Sequence, residues 1–264
     1  MFGQIEIIRR LLCILVVTIA TLGCALQLYR FSRDKTRRVP VITLVIIGST
    51  AFVTGLQFVF PEVLTALRRN PQALAAGEWW RMVTPLFVHA YGGWHACVNG
   101  IAAIVFCPLA ERLYGKKVWI LYFVPGMVGQ IFGYLWSPNT AGASLGIAGV
   151  MGGLLAFVVL HRRELSGSAQ LFAMSGIAGA VALCFWRDIH GPPTVIGILL
   201  AGMIIIWGSL IRGRYAANSQ KKPNRRWSEP QDSGRFTSRV LGHPPLACCE
   251  SCTGLAVTDL VSLA

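Results

Sequence analysis

Ser144 lies in the stretch TAGASLGIAG, residues 140–149, within a largely apolar region of the chain. Its hydroxyl could be a nucleophile, because a neutral imidazole within hydrogen-bond reach can take the proton of a serine. It could equally cap a helix or bond to a neighbouring helix, as small polar residues in membrane helices do. His95, Asn99 and His190 are uncharged polar side chains of the same apolar region. Together these residues would suit hydrolysis if the fold brings them to one place.

Other kinds of membrane chemistry lack the residues that they require. Ionisable side chains are costly inside a bilayer and therefore mark function, but none of the four aspartates lies well inside an apolar segment. This excludes a protease with two intramembrane aspartates, and the absence of an HExxH motif excludes a zinc protease of that type. A carrier or channel is disfavoured because the chain has neither a buried carboxylate nor an internal repeat. Glu111, near the end of an apolar segment, is better explained as a helix cap and charge anchor.

The elements that must position these residues are membrane helices. The chain is 54% hydrophobic and 13% charged, with a mean hydropathy of +0.58, which is typical of a membrane protein. A search for stretches of about 18 or more apolar residues predicts seven spanning helices. They lie near 10–30, 41–60, 95–110, 117–136, 142–160, 169–186 and 190–211.

The net charge of +13 is explained by membrane topology. Basic residues crowd every second connection, at 30–38, 112–117 and 162–163, and follow the last helix at 212–226. The positive-inside rule makes these connections cytoplasmic, so the amino terminus is predicted to lie outside and the carboxyl terminus inside. Binding of nucleic acid is therefore not predicted. The remaining connections then lie on the outer side, at 61–94, 137–141 and 187–189.

The glycines of the fifth predicted helix lie on one face. They are spaced by four, three and four residues, and are Gly142, Gly146, Gly149 and Gly153. Such a seam permits close approach of a neighbouring helix, and we expect it to receive the helix that carries His95 and Asn99 on one face. Ser144 lies nearly opposite the glycines, on a face shared with Ala148, Met151 and Leu155.

The seventh predicted helix begins with a histidine and has a stripe of small residues. The stripe repeats the spacing of the glycine seam, with His190, Thr194, Gly197 and Ala201. We expect it to pack on the serine face of the fifth helix. This packing would bring His190 beside Ser144 on the outer side of the membrane.

From about residue 41 to 211 the chain resembles the rhomboid intramembrane serine proteases. The stretch GEWWRMVTPLFVH is similar to the first-loop signature of that family, HACVNG matches its HxxxN motif, and ERLYG is similar as well. GASLGIAG aligns with the GxS motif, and HGPPTVIG with the histidine that begins the last core helix. The five motifs occur in the family's order.

The resemblance implies an all-α membrane protein made of a six-helix rhomboid core with one extra amino-terminal transmembrane helix and a disordered carboxyl-terminal tail. The predicted regions are an amino-terminal helix with its basic connector (1–40), the protease core (41–214) and a polar tail (215–264). Trp79, Trp80 and Trp94 of the outer loop suit a membrane interface, so this loop is expected to lie partly in the outer leaflet. The predicted location is the cell membrane, with the active site open to the extracytoplasmic side.

The resemblance also assigns roles to the polar residues. Ser144 would be the nucleophile and His190 its base, while His95 and Asn99 would stabilise the oxyanion together with the Ser144 backbone N–H. A dyad is favoured over a triad, and Asp188 remains an alternative for orienting the His190 ring. The implied reaction is hydrolysis of peptide bonds in or near transmembrane segments of substrates within the lipid bilayer. No cofactor and no metal is implied.

Three residues depart from the family pattern. Leu145 follows the serine where glycine is most common, Ala148 stands where an aromatic residue commonly supports the histidine ring, and Pro193 replaces a glycine after the histidine. These departures leave a second function open. In that alternative the chain is a catalytically impaired relative that binds transmembrane segments and affects their trafficking or stability.

Overall fold

The computed structural model describes residues 2–32 and 39–220, which are helical and contain no strand. Nine α-helices occur in this part of the chain: α1 (Phe2–Phe31), α2 (Val41–Val59), α3 (Glu62–Leu67), α4 (Pro71–Ala75), α5 (Gly92–Tyr114), α6 (Val118–Trp136), α7 (Ser144–Leu160), α8 (Gly167–Phe185) and α9 (Gly191–Gln220). Short 3-10 turns lie at Trp79–Met82, Thr84–Leu86 and Gly115–Lys117. The seven longer helices coincide with the predicted apolar segments.

The described residues cross a membrane several times. Five segments are long and apolar enough to span a bilayer, and one of them, Gly92–Trp136, contains both α5 and α6. The apolar helix α7 is shorter, at Ser144–Leu160. The chain is therefore a multi-pass integral membrane protein with an all-helical fold, as the sequence predicted.

Helix α7 forms the centre of the bundle. Its residues from Leu145 to Val158 are buried, and it contacts helices α1, α5, α6, α8 and α9. A helix that is apolar on every side is suited to such a position. Ser144, the first residue of this helix, is thereby fixed at one end of the protein interior.

The expectation that the glycine seam of α7 receives the His95 helix is wrong. A Cβ atom on Gly146 would lie 2.6 Å from the Tyr122 ring, and one on Gly149 would lie 2.5 Å from the Leu121 carbonyl oxygen. Both neighbours belong to α6. The glycine spacing identifies a face of close approach, but it carries no information about which apolar helix occupies that face. Only Gly142, before α7 begins, contacts His95.

The expectation that the α9 stripe packs on the serine face is also wrong. A Cβ on Gly197 would lie 2.1 Å from the Gly149 carbonyl oxygen, and one on Gly152 would lie 2.1 Å from the Thr194 carbonyl oxygen. The stripe therefore packs on glycines of α7, because backbones approach most closely where side chains are small or absent. The serine face is left to border a cavity.

Helix α1 is packed into the bundle along α8. A Cβ on Gly23 would lie 2.7 Å from the Phe172 ring, and one on Gly179 would lie 2.9 Å from Val17. The Cys24 thiol lies 3.7 Å from the Ala169 carbonyl oxygen. This extra helix thus adds a close interface to the bundle.

The loop between α2 and α5 is held in place by the buried side chain of Arg81. Arg81 is 6% exposed, and its guanidinium donates to the carbonyl oxygens of Thr65 at 2.9 Å and Arg68 at 2.7 Å and pairs with Glu78 at 2.7 Å. These contacts give the Trp79–Met82 turn a structural role. Its location in the outer leaflet stays a prediction.

Glu111 caps a helix, as predicted. Its carboxylate oxygens accept hydrogen bonds from the backbone N–H groups of Ile42 at 3.0 Å and Thr43 at 2.7 Å. These donors belong to the first turn of α2, where N–H groups have no partner in their own helix and favour a negative charge. The contact joins the end of α5 to the beginning of α2.

Helix α9 continues to Gln220, past the predicted end of the core at 214. Tyr215, Ala216 and Ala217 permit this, since the next proline is Pro223. The rest of the tail predicted to be disordered, 221–264, lies outside the described residues.

Candidate functional site

The structure brings Ser144 and His190 together. Ser144 begins α7 and His190 directly precedes α9, and the close packing of these two helices places Ser144 Oγ 3.0 Å from His190 Nε2. This is hydrogen-bond distance. The His190 side chain is 28% exposed, so the pair is partly shielded and can still be reached from a cavity.

Asp188 lies on the other side of the His190 ring. Its Oδ1 atom is 2.7 Å from His190 Nδ1 and accepts the His190 backbone N–H at 2.9 Å. Burial by itself would raise the pKa of the Asp188 carboxyl, but the hydrogen bonds and the charge of His190 outweigh it and hold the pKa below its ordinary value. The residue that sequence reasoning kept only as an alternative therefore contacts the histidine directly.

The turn that places Asp188 ends α8 with an unusual residue. The Asp188 N–H donates to the Leu183 carbonyl at 2.9 Å and the Arg187 N–H donates to the Cys184 carbonyl at 3.1 Å, which is the Schellman pattern of a helix end. Arg187 has a φ of +52°, in the left-handed region where glycine is the usual residue. This conformation directs the chain so that Asp188 meets His190.

His95 and Asn99 border the same cavity as the serine and the histidine. The Asn99 Nδ2 atom donates to the His95 carbonyl oxygen at 2.9 Å, which leaves its second N–H available. The His95 ring packs on Gly142, where a Cβ would lie 2.6 Å from the ring. Neither side chain has a hydrogen bond to Ser144 among the described contacts.

Two cavities meet at the Ser144 and His190 pair. One is largely apolar, measures about 370 Å³ and is bordered by α1, α5, α7 and α9, with Ile14, Val98 and Met151 on its walls. The other, here called the polar cavity, measures about 340 Å³ and is the more polar of the two, because Arg69, Asp188 and other polar residues line it beside apolar residues such as Leu11 and Trp136. The pair is thus accessible from both an apolar and a polar side.

Comparison with protein families matches residues 76–218 to the Rhomboid domain, more than half of the chain. The chain belongs to the rhomboid family. The match contains Ser144, Asp188 and His190 together with His95 and Asn99.

Relatives of this rhomboid chain include proteins named as proteases. It is 35% identical over 140 residues to "Putative rhomboid protease YdcA" of Bacillus subtilis (strain 168), covering 50% of this chain and 68% of that protein. It is 36% identical over 107 residues to "Rhomboid protease GluP" of the same organism, covering 39% of this chain and 21% of the relative. "Rhomboid-like protease 3" of Toxoplasma gondii is 37% identical over 133 residues, with coverage of 48% and 50%.

Two departures of this rhomboid from the family pattern pack together. A Cβ on Gly129 of α6 would lie 3.1 Å from Pro193 and 3.2 Å from Leu145, so the side chains of both residues use the space that this glycine leaves. Leu145 is 1% exposed. Both side chains therefore contact α6, whereas Ala148, the third departure, borders the apolar cavity.

His89 of the rhomboid is not among the residues that line the two cavities at Ser144. It borders a separate cavity between α2 and α5, is 2% exposed, and has its Nδ1 atom 3.0 Å from the Thr54 hydroxyl. The Gln57 side chain bonds to both the N–H and the carbonyl of His89, each at 2.8 Å. Burial first, and the nearby charge of His95 second, lower the pKa of His89 to about 4.

Sequence reasoning missed Arg69 and the α1 residues of this rhomboid site. Arg69, Arg10 and Leu11 line the polar cavity beside Ser144. One signal could have found Arg69, because a basic residue in a predicted outer loop is an exception to the positive-inside rule. The α1 residues carried no signal, since the helix precedes the part that resembles the family.

Proposed function

We propose that this rhomboid-family chain is a serine endopeptidase that hydrolyses peptide bonds in or near transmembrane segments of membrane-protein substrates. Ser144 is the nucleophile, His190 is the base, and Asp188 orients the His190 ring. The observation that carries the proposal is the continuous contact from the Ser144 hydroxyl through both nitrogens of His190 to the Asp188 carboxylate. Such a constellation is recognised by its geometry and not by the order of its residues in the chain.

The acylation step follows from these contacts. The Ser144 oxygen attacks the scissile carbonyl carbon while its proton moves to His190 Nε2, and the carbonyl π electrons move to the oxygen. When the tetrahedral intermediate collapses, the C–N bond breaks and the amine leaves with the proton from His190. Asp188 accepts the Nδ1 hydrogen bond, which selects the tautomer with a free Nε2 lone pair and stabilises the imidazolium.

The negatively charged oxygen of the tetrahedral intermediate needs hydrogen-bond donors of its own. The Ser144 N–H belongs to the first turn of α7, where backbone N–H groups have no partner in their own helix and the helix dipole is positive. His95 and the free N–H of Asn99 border the same cavity. We assign all three groups to oxyanion stabilisation.

Deacylation requires water at the same place. A water molecule attacks the acyl carbon, gives its proton to His190 and displaces Ser144, which recovers its proton. The polar cavity supplies a route for water, and the apolar cavity accommodates side chains of a transmembrane segment. The topology inferred from the basic connections places this opening on the extracytoplasmic side of the cell membrane.

Active-site labelling tests the proposal. The purified full chain is incubated with a fluorophosphonate, beside Ser144→Ala, His190→Ala and the conservative control Ser175→Ala, an exposed serine of α8. We expect labelling of wild type and Ser175→Ala, and loss of labelling in Ser144→Ala. Equal labelling of wild type and Ser144→Ala would contradict the proposal and favour the impaired, substrate-binding alternative.

A further inference from the structure

Three arginines line the polar cavity beside Ser144. They come from separate parts of the fold, namely Arg10 from α1, Arg69 from the outer loop and Arg187 from the turn after α8. The carboxylate that lines the same cavity, Asp188, is already held by His190. Arg10 is paired with Glu6. The cavity at the proposed nucleophile therefore has an excess of positive charge.

Arg69 is the most deeply placed of these cations. It is 1% exposed, and its guanidinium donates to Gln130 Oε1 at 2.6 Å, to the Ser137 carbonyl at 3.2 Å and to the Thr140 hydroxyl. All three acceptors are neutral, and no carboxylate pairs with Arg69 in the described part of the chain. Burial lowers its pKa to about 10, so it remains charged at neutral pH. A buried charge of this kind favours a ligand of opposite charge.

Arg187 provides an independent observation. Its backbone adopts the left-handed conformation at a helix end where glycine is the ordinary residue. The side chain is exposed on the cavity, and the described residues offer it neither a hydrogen bond nor an ion pair. Residues in sparsely populated backbone conformations cluster at functional sites, and this one bears an unpartnered cation at the rim of the cavity.

We propose that Arg187, supported by the positive charges of Arg10 and Arg69 on the same cavity, binds a carboxylate of the substrate, so that the enzyme prefers cleavage sites with Asp or Glu within a few residues of the scissile bond. The proposal rests on the proposed protease function. The guanidinium group matches a carboxylate in a planar, two-bonded arrangement. Because the same cavity borders Ser144 Oγ, a bound carboxylate belongs to the chain that is being cleaved. The cavity volume of about 340 Å³ is sufficient for short side chains.

A substrate scan in detergent tests this preference. A cleavable transmembrane segment with Asn at each position around its cleavage site is changed to Asp one position at a time, and kcat/KM is measured. We expect Asp to raise kcat/KM about tenfold over Asn at one or two adjacent positions, as a charge-assisted hydrogen bond would. In Arg187→Gln this Asp to Asn ratio falls toward one, and in Arg187→Glu a Lys substrate is favoured over Asp.

Matched variants isolate the charge. Arg187→Gly removes the side chain and suits the left-handed backbone. Its ratio of kcat/KM for Asp to Asn substrates should therefore fall toward one, as in Arg187→Gln. Arg163→Gln makes the same charge change on an exposed residue beyond the opposite end of α7 and should keep the wild-type ratio. If the wild-type enzyme is active but kcat/KM is the same for Asp and Asn at every position, the carboxylate proposal is wrong while the protease function stands.

Lipid headgroups are the competing source of anionic groups. The scan is repeated in vesicles of phosphatidylcholine alone and of phosphatidylcholine with phosphatidylglycerol. A similar Asp to Asn ratio in both supports binding of the substrate carboxylate. If phosphatidylglycerol brings the Asp to Asn ratio of kcat/KM to one and raises cleavage of the Asn substrate, the arginines bind lipid phosphate and the proposal is wrong. Absence of both cleavage and Ser144 labelling overturns the protease function and this proposal together.

Discussion

His190 has a different partner at each of its ring nitrogens, and this fixes what each neighbouring residue can do. Nε2 faces the Ser144 hydroxyl at 3.0 Å and Nδ1 faces Asp188 at 2.7 Å. The ring cannot rotate without losing both contacts. In the proposed mechanism, a proton taken from the serine thus arrives on an imidazole that is already held beside a carboxylate.

Substitution of Asp188 tests this arrangement at the residue scale. Asp188→Asn keeps the size of the side chain but removes the charge, so it no longer stabilises the imidazolium and its amide can favour the wrong tautomer. We expect kcat to fall by about 10² or more, with slower fluorophosphonate labelling of Ser144. Single-turnover cleavage by purified protein provides the measurement, and an unchanged kcat would assign Asp188 a purely structural role.

The contact of Ser144 with His190 could be predicted because their motifs and their places at helix starts are visible in the sequence; their catalytic roles stay a prediction. The contact of Asp188 with His190 could not be derived in this way. It depends on the left-handed conformation of Arg187, and arginine gives no signal for that conformation. Hydrogen-bond partners set by one unusual backbone angle need the three-dimensional structure.

At the scale of elements, the distance between α7 and α9 controls the site. A Cβ on Gly152 would lie 2.1 Å from the Thr194 carbonyl oxygen, and a backbone atom cannot turn aside as a flexible side chain can. We expect Gly152→Ala to force the two helices apart and to destabilise the protein by about 3 kcal/mol.

Thermal unfolding in detergent and the rate of Ser144 labelling measure the effect of Gly152→Ala. Gly202→Ala, in the same α9 helix with no neighbour within 4 Å, is the matched control and should leave both quantities unchanged. If the two variants behave alike, contact between these helices does not position His190.

Prediction of the elements succeeded where it depended on length and hydrophobicity. The seven apolar segments match the seven long helices, because the bilayer fixes the length of a spanning helix. Prediction gave the glycine seam of α7 the wrong partner helix and gave the α9 stripe the wrong face of α7, since all seven helices are apolar and several carry small residues. The pairing is decided by which surfaces fit most closely, and sequence spacing does not contain that information.

For the whole molecule, His89 links stability to pH. Burial and the charge of His95 lower its pKa to about 4, whereas an unfolded histidine titrates near its ordinary value of 6.5. The unfolded chain therefore binds more protons between these values. The stabilisation is complete above pH 6.5 and is lost as the pH falls toward 4.

We expect the free energy of unfolding to decrease by roughly 2 kcal/mol across that interval because of His89. The melting temperature in detergent, recorded from pH 8 to pH 4, measures this slope. His89→Asn removes the titrating ring and should melt with a shallower pH dependence. Equal slopes for both proteins would show that His89 does not carry the effect.

Helix α1 also determines when the site can exist during synthesis. It is translated before its principal partner, α8, which begins only at Gly167. At about 5 to 20 residues per second, α1 waits on the order of ten seconds for that partner to be translated. The cavity beside Ser144 gains its α1 wall only after this interval, so the site cannot assemble until the ribosome has translated α8.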